Sequence, residues 1–293
     1  MSNIKECFVS RFKNGSLVCA DFSQLEIVVL AYLSSDKQLI DDMTHGTDLH
    51  CVNCAAIHGV PYNTVLAGIR VGHPEWIKRR KDAKRASFAL QYGAGARKIA
   101  DMVGWDLPTT KKFINVYYRR YPGVKAWQDS MVAYAQKVRK INNDGRRTQL
   151  GFPAGVAMIP SNTGRIYGFV EYDDNYNNAG DTRFSRNELI NYPIQGLAGG
   201  DLTMVVLGEL YYDLYQTGLH NDIKLVNTVH DSIVLDVSDG YVHQAALKLK
   251  TTMENGPKYL SKYFGINFNL PLKVEVTYGP DLYNQSVVEG LSL

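Results

Sequence analysis

Two apolar runs that each lead into an aspartate lie near opposite ends of the chain, and they constrain the fold more than any other feature. LVCA precedes Asp21 in LVCADFSQLEIVVLA, and LVNTVH precedes Asp231 in LVNTVHDSIVLDV. Short runs of this kind read as buried β-strands, so both carboxylates are expected on rigid sheet rather than on loops. Two aspartates held this way suit a two-metal phosphoryl-transfer site. There, two Mg²⁺ ions about 3.5–4 Å apart are clamped by carboxylates that do not move during the reaction. Taken singly, each segment fits a strand-edge aspartate with no shared role equally well.

The sequence between the runs is of a different kind. Residues 48–140 carry a mostly helical pattern, broken at Gly59-Val60-Pro61, His73-Pro74, Gly93, Gly95 and Tyr121-Pro122-Gly123. Residues 1–35 read as a short strand pair turning at Asn14-Gly15, then the Asp21 strand running into an apolar helix. Residues 141–185 are turn-rich, and DDNYNNAGDT from Asp173 to Thr182 reads as an exposed polar loop. Beyond them, a helix near 195–217, strands around 223–237, a helix near 240–262 and a closing strand in LPLKVEVTYG are expected. The outline is an α+β fold in which an antiparallel sheet with packing helices is split by an inserted, mainly helical region.

With 293 residues, 45% of them hydrophobic, the chain can bury one large core or two moderate ones. A net charge of +3 excludes a general polycation, so local charge matters more. KRRKDAK from Lys78 to Lys84 holds five basic residues, with Arg119-Arg120 and Arg146-Arg147 as further spots. Such charge can face polyphosphate, although a solvated helix face is its ordinary use. No secretory segment and no apolar run of about 18 residues is present, so no membrane role and a cytoplasmic location are expected. Cys51-Val52-Asn53-Cys54, flanked by His50 and His58, has half the pattern of a zinc site. No second half follows, so the thiols read as helix-borne.

RKDAKRASFALQYGAG places Arg80, Lys84, Phe88 and Tyr92 four residues apart, one winding stripe on a helix. Two cations one turn apart can grip a triphosphate, and two aromatics beyond them offer flat faces to a base. An amphipathic core helix with a charged end is the plain alternative.

This R-x-x-x-K-x-x-x-F-x-x-x-Y-G pattern resembles the nucleotide-binding finger helix of family A DNA polymerases, the polymerase I class. Asp21-Phe22-Ser23-Gln24-Leu25-Glu26 is similar to that family's D-Y-S-Q-I-E, and His230-Asp231 to the start of its H-D-E. Asp48-Leu49-His50 is like D-[IL]-H, Tyr121-Pro122-Gly123-Val124 matches Y-P-G-V, and Asn191-Tyr192-Pro193-Ile194-Gln195-Gly196 resembles N-x-P-[IV]-Q-G. Leu272-Lys273-Val274-Glu275-Val276 is like the last palm strand. The seven blocks fall in the family's order across nearly the whole chain.

The resemblance implies a palm in residues 1–44 and 181–293 and fingers in residues 45–180. It implies template-directed DNA synthesis on primer–template DNA with dNTPs, and two Mg²⁺ ions held by Asp21 and Asp231. In the same frame Arg80 and Lys84 hold the triphosphate, with Lys84 as proton donor to the leaving group. Phe88 packs on sugar and base, lacking the hydroxyl that goes with dideoxynucleotide acceptance, and Tyr92 stacks at the template base. Glu26 takes the steric-gate position, and Gln24 and His50 lie near the incoming nucleotide, with a local hydrogen bond for Gln24 and a capping or packing role for His50 as the alternatives. Asn191 and Gln195 fall along the primer–template minor groove, and His230 supports the primer terminus.

Departures accompany the matches. Ser232 stands where the family has the Glu of H-D-E, and Val28 where it has an Arg. Ser87 and Ala89 flank Phe88 in place of the common Asn and Gly. Arg186 lies five residues before Asn191 rather than four. The twenty residues before Asp21 leave no room for the family's thumb or its 3′–5′ exonuclease. The expectation is a phage-like split polymerase whose thumb and exonuclease reside on a second polypeptide, acting in the host cytoplasm; a fragment of a longer reading frame is the alternative. Among other functions, a non-catalytic DNA-binding or scaffolding subunit sits poorly with intact Asp21, Asp231, Arg80 and Lys84. Glu26 at the gate disfavours an RNA polymerase.

Overall fold

The computed structural model describes residues 4–141, 145–173, 182–288, 290 and 291. In chain order the elements begin with β1 (Ser16–Phe22), α1 (Leu25–Ser34), α2 (Lys37–Thr44), α3 (Leu49–His58) and α4 (Tyr62–Arg70). The long α5 (Pro74–Gln91) follows, then α6 (Ala96–Val103), α7 (Leu107–Arg120) and α8 (Pro122–Val138). Five short strands come next: β2 (Lys140–Ile141), β3 (Gly155–Pro160), β4 (Ile166–Val170), β5 (Tyr172–Asp173) and β6 (Thr182–Arg183). α9 (Arg186–Gln195) runs into a π-helical turn, Gly196–Leu202, and α10 (Thr203–Gln216). The remainder is β7 (Ile223–Val229), β8 (Ser232–Val237), α11 (Val242–Glu254), α12 (Gly256–Phe264), β9 (Val274–Gly279) and β10 (Ser286–Val287).

The chain forms two compact units, one of Met1–Val29 with Gln195–Leu293 and one of Leu30–Ile194. The first is built on a five-stranded antiparallel sheet in the order β10-β9-β1-β8-β7. β1 is its central strand, flanked by strands from the other end of the sequence. Ile233 to Val237 of β8 are all buried, as a strand covered on both faces requires. Val18, Ala20, Leu235, Val276, Leu249 and Met253 form part of this core. Each fully buried Val or Leu side chain contributes roughly 1.5–3 kcal/mol. The run also buries Asp236, whose carboxylate accepts bonds from Ser10 Oγ at 2.6 Å and Arg11 Nε at 2.8 Å. Burying an unpaired carboxylate would be costly, so these partners are what permit it.

The expected strand pair before Asp21 does not form. Ile4–Cys7 is a 3₁₀ turn, and Val9 makes only an isolated bridge to Asp281. The segment instead satisfies Asp236, a partner in the distant half of the chain.

The second unit is mainly helical, as residues 48–140 lead one to expect. The Tyr121-Pro122-Gly123 break serves as a structural knot. Buried Asp42 takes Arg120 Nη2 at 2.7 Å and Tyr121 Oη at 2.8 Å, and Asp36 accepts the Gly123 N–H at 2.6 Å. A Cβ on Gly123 would meet Asp36 at 2.9 Å, so the approach needs glycine. Residues 141–185 carry more order than their turn content suggests. β2, β3 and β4 form a three-stranded antiparallel sheet. Ile159, Tyr167 and Phe169 from it join Ala135 of α8 in a buried cluster. β5 and β6 pair on either side of residues 174–181, so most of the expected loop lies outside the described residues. No helix among the described residues is long and apolar enough to cross a membrane.

Candidate active site

In the sheet-bearing unit, Asp21 lies on β1 and pairs directly with Ser232 of β8 and Glu275 of β9. Directly opposed residues of an antiparallel ladder project to the same face, so these three side chains share one side of the sheet. They line an open pocket of about 470 Å³ together with Cys19, Gln24 and Thr277. Asp231 is not on sheet. It is the second residue of the two-residue turn between β7 and β8, where Val229 pairs with Ser232 and Ser232 Oγ donates to the Val229 carbonyl at 2.8 Å. The first turn residue, His230, has φ +57°, and Gln24, beside the same pocket, has φ +56°. Hairpin turns of this length normally give such a position to glycine, and each left-handed non-glycine residue costs on the order of 1 kcal/mol.

The charges of this site repel one another. The Asp21 carboxyl is pushed above its usual range, first by burial, then by the charge of Asp231, with which it can share a hydrogen bond, and then by Glu275. Glu26, in the first turn of α1, is pushed up by burial and by Asp231, with His230 opposing. Among the described residues no lysine or arginine side chain pairs with any of these carboxylates. Nor does any group of three or more His, Cys, Asp or Glu side chains there form a ready metal cage. What exists is Asp21 opposite Ser232, with Asp231 next to Ser232 in the turn, and no counter-charge paired to either aspartate. An all-oxygen donor set of this kind fits a hard divalent cation such as Mg²⁺.

The helical unit carries the opposite arrangement. Arg80, Lys84 and Phe88 lie on α5, and Tyr92 is the residue that ends it. Phe88 stands between the His50 ring, 5.8 Å away, and the Tyr92 ring at 6.4 Å, with Lys84 Nζ 5.7 Å from its centre. α3 packs along α5 and is tied to it by Asn53 Nδ2 donating to Ser87 Oγ at 2.8 Å. The departure at Ser87 therefore has a structural use. Asp48 caps α3 and also holds Arg80 at 2.7 Å. Burial alone would raise the Asp48 carboxyl, but the Arg80 and Cys51 hydrogen bonds outweigh it and the net shift is downward. His50 is 4% exposed and its Nδ1 has no partner, which makes it the platform's unsatisfied polar atom. Burial, then Arg80 and Lys84 against Asp48, pull its pKa down to about 4, so it is neutral near pH 7. Cys51 and Cys54 are buried on α3, and burial pushes both thiols up to about 11.

Gly93 has φ +79°, and a Cβ there would meet Asn187 Oδ1 at 2.8 Å, so the turn after Tyr92 requires glycine. Asn191 Nδ2 donates to the Tyr92 carbonyl at 3.5 Å, while its Oδ1 is buried without a partner. Gln195 is exposed at the end of the same helix, and Arg186 at its start binds Asp129. Val28 is buried in the apolar α1. Two residues reached no role from sequence alone. Glu275 stood in the alternation of VEV, and Asp48 had an N-cap position before an apolar helix.

The family model for DNA polymerase family A matches residues 1–284. DNA polymerase I of Lactococcus lactis subsp. cremoris is 28% identical over 280 residues, covering 96% of this chain and 27% of the relative. DNA polymerase I of Pseudomonas aeruginosa is 27% identical over 277 residues, covering 94% of this chain and 26% of the relative. The chain thus spans about a quarter of the length of the curated relatives it matches. Among solved structures, the POL domain of Pol1 from M. smegmatis, in complex with DNA primer-template and dNTP, superposes with a TM-score of 0.69. It is 25% identical and is matched over 95% of this chain and 42% of that one.

Proposed function

Because the chain belongs to DNA polymerase family A, we propose that it carries out template-directed DNA synthesis, transferring a nucleotide from a dNTP to a primer 3′-hydroxyl. The observation that carries this reading is Asp21 on β1 paired with Ser232, the residue after Asp231 in the β7–β8 turn, with no lysine or arginine paired to either carboxylate among the described residues. Asp21 and Asp231 are the residues that would hold two Mg²⁺ ions. When bound, such ions favour ionisation of the 3′-hydroxyl and offset charge on the departing pyrophosphate. The chain's own residues do the rest. Arg80 and Lys84 hold the phosphates, Lys84 supplies a proton to the pyrophosphate, and Phe88 and Tyr92 pack on sugar and base. Glu26 crowds the sugar 2′ position against a hydroxyl, with Gln24 and neutral His50 beside the incoming nucleotide. Asn191, Gln195 and His230 contact the duplex and primer end.

In this reading the sheet-bearing unit is the palm and the helical unit the fingers. It includes a second polypeptide bearing a thumb and a 3′–5′ exonuclease, the pair acting as a split replicative polymerase of a phage. Primer extension by the 293-residue chain, with dNTPs and Mg²⁺, tests both parts. Template-dependent extension at low salt that fades as salt rises is expected. DNA binding with no extension at any salt would favour a non-catalytic subunit, and robust extension at moderate salt would remove the need for the second polypeptide.

A further inference from the structure

The carboxylate of Asp48 divides its oxygens between two tasks. Oδ1 accepts the backbone N–H groups of His50 and Cys51, each at 3.0 Å, and so caps α3. Oδ2 accepts Arg80 Nε–H at 3.0 Å, and Nη2 lies 2.7 Å from the same oxygen as an ion pair. The pair is partly sheltered, with the two side chains 31% and 26% exposed. A guanidinium has five N–H donors. Asp48 engages the Nε edge and Cys51 also lies within reach of the guanidinium, and the donors that remain can meet another anion. A long, flexible side chain is thereby fixed in plane before any ligand arrives, from the first turn of the helix that carries His50.

We propose that Asp48 is a positioning residue for Arg80, orienting its guanidinium to receive the triphosphate of the incoming nucleotide. This rests on the reading of α5 as the nucleotide-binding helix. The competing effect has the opposite sign. A carboxylate beside Arg80 lowers the local positive potential, so a purely electrostatic Asp48 would weaken triphosphate binding and its removal would tighten it.

Calorimetric titration of dATP with Mg²⁺ into the full chain separates the two. Asp48→Asn keeps a good helix cap and removes the charge that fixes Arg80, and Asp48→Ser caps as well without the reach to Arg80. Each is expected to raise Kd about fivefold to tenfold, and Arg80→Ala about tenfold to a hundredfold, the range for lost charge-assisted bonds. Combining Asp48→Asn with Arg80→Ala is expected to cost no more than Arg80→Ala alone, because the two act as one unit. An unchanged or tighter Kd in both Asp48 variants overturns the inference. So does an additive loss in the double variant, which would place the effect in α3 and His50. Arg80→Ala binding as tightly as the unmodified chain would overturn the nucleotide-site reading, and the positioning role with it. A loss at Arg80 with none at Asp48 strikes the positioning role alone.

Discussion

The acidic face beside β1 and the basic platform of α3 and α5 solve their electrostatics in opposite ways. On the platform, Arg80 is paired with Asp48 and α3 is capped by the same carboxylate. On the acidic face, Asp231 and Glu275 push the Asp21 carboxyl up, Asp231 pushes Glu26 up, and His230 and Gln24 add left-handed backbone. A fold keeps uncompensated repulsion and strain where a ligand supplies the missing term, and arranges groups in advance where the ligand must be oriented. The platform keeps one flaw of its own, the buried Nδ1 of His50.

The largest test of this contrast falls on Asp21. Asp21→Asn is expected to cut primer extension about 10³-fold or more, since several kcal/mol of charge stabilisation is at stake. Without divalent cation the same substitution is expected to raise the melting temperature by on the order of 2 °C, because it removes repulsion. A fall in both would show that Asp21 is structural.

His50 is the next. Its folded pKa of about 4 lies below the ordinary 6.5, so its contribution is fully present above pH 6.5 and is lost as pH falls towards 4. His50→Gln should flatten the loss of stability across that window by on the order of 3 kcal/mol, read by denaturant unfolding at several pH values. An unaltered acid slope would mean that the ring is not held neutral.

The smallest effect is at the turn. His230→Gly relieves the left-handed backbone but adds freedom to the unfolded chain, so a net gain of about 0.5 kcal/mol is expected. A loss in denaturant midpoint would show that the imidazole, not the backbone, holds the turn.

Much of this contrast was legible in the sequence, for identifiable reasons. The α5 stripe was readable because helical spacing of side chains is local information. β1 was readable because an apolar run before Asp21 can be satisfied at the centre of a sheet. Asp231 was misplaced because LVNTVH was read as a strand running straight into it. The two residues between Val229 and Ser232 form a hairpin turn, masked because neither is Gly or Asn. The strands of residues 141–185 were missed because Pro153, Pro160 and Gly164 punctuate runs too short to show alternation. Their order comes from packing on α8. The expected strand pair failed because Ser10 and Arg11 serve Asp236, a contact no local pattern reveals. Asp48 stood in the sequence only as part of the Asp48-Leu49-His50 block, and its bond to Arg80 exists only once α3 lies along α5.

The most direct test of the acidic site as a catalytic cation site is Asp231→Asn, with primer extension and primer–template affinity measured on one preparation. A loss of about 10³-fold or more in extension, with DNA affinity changed less than about twofold, is expected. Extension within about tenfold of the unmodified chain would contradict it, leaving Asp231 as a turn residue and nothing more.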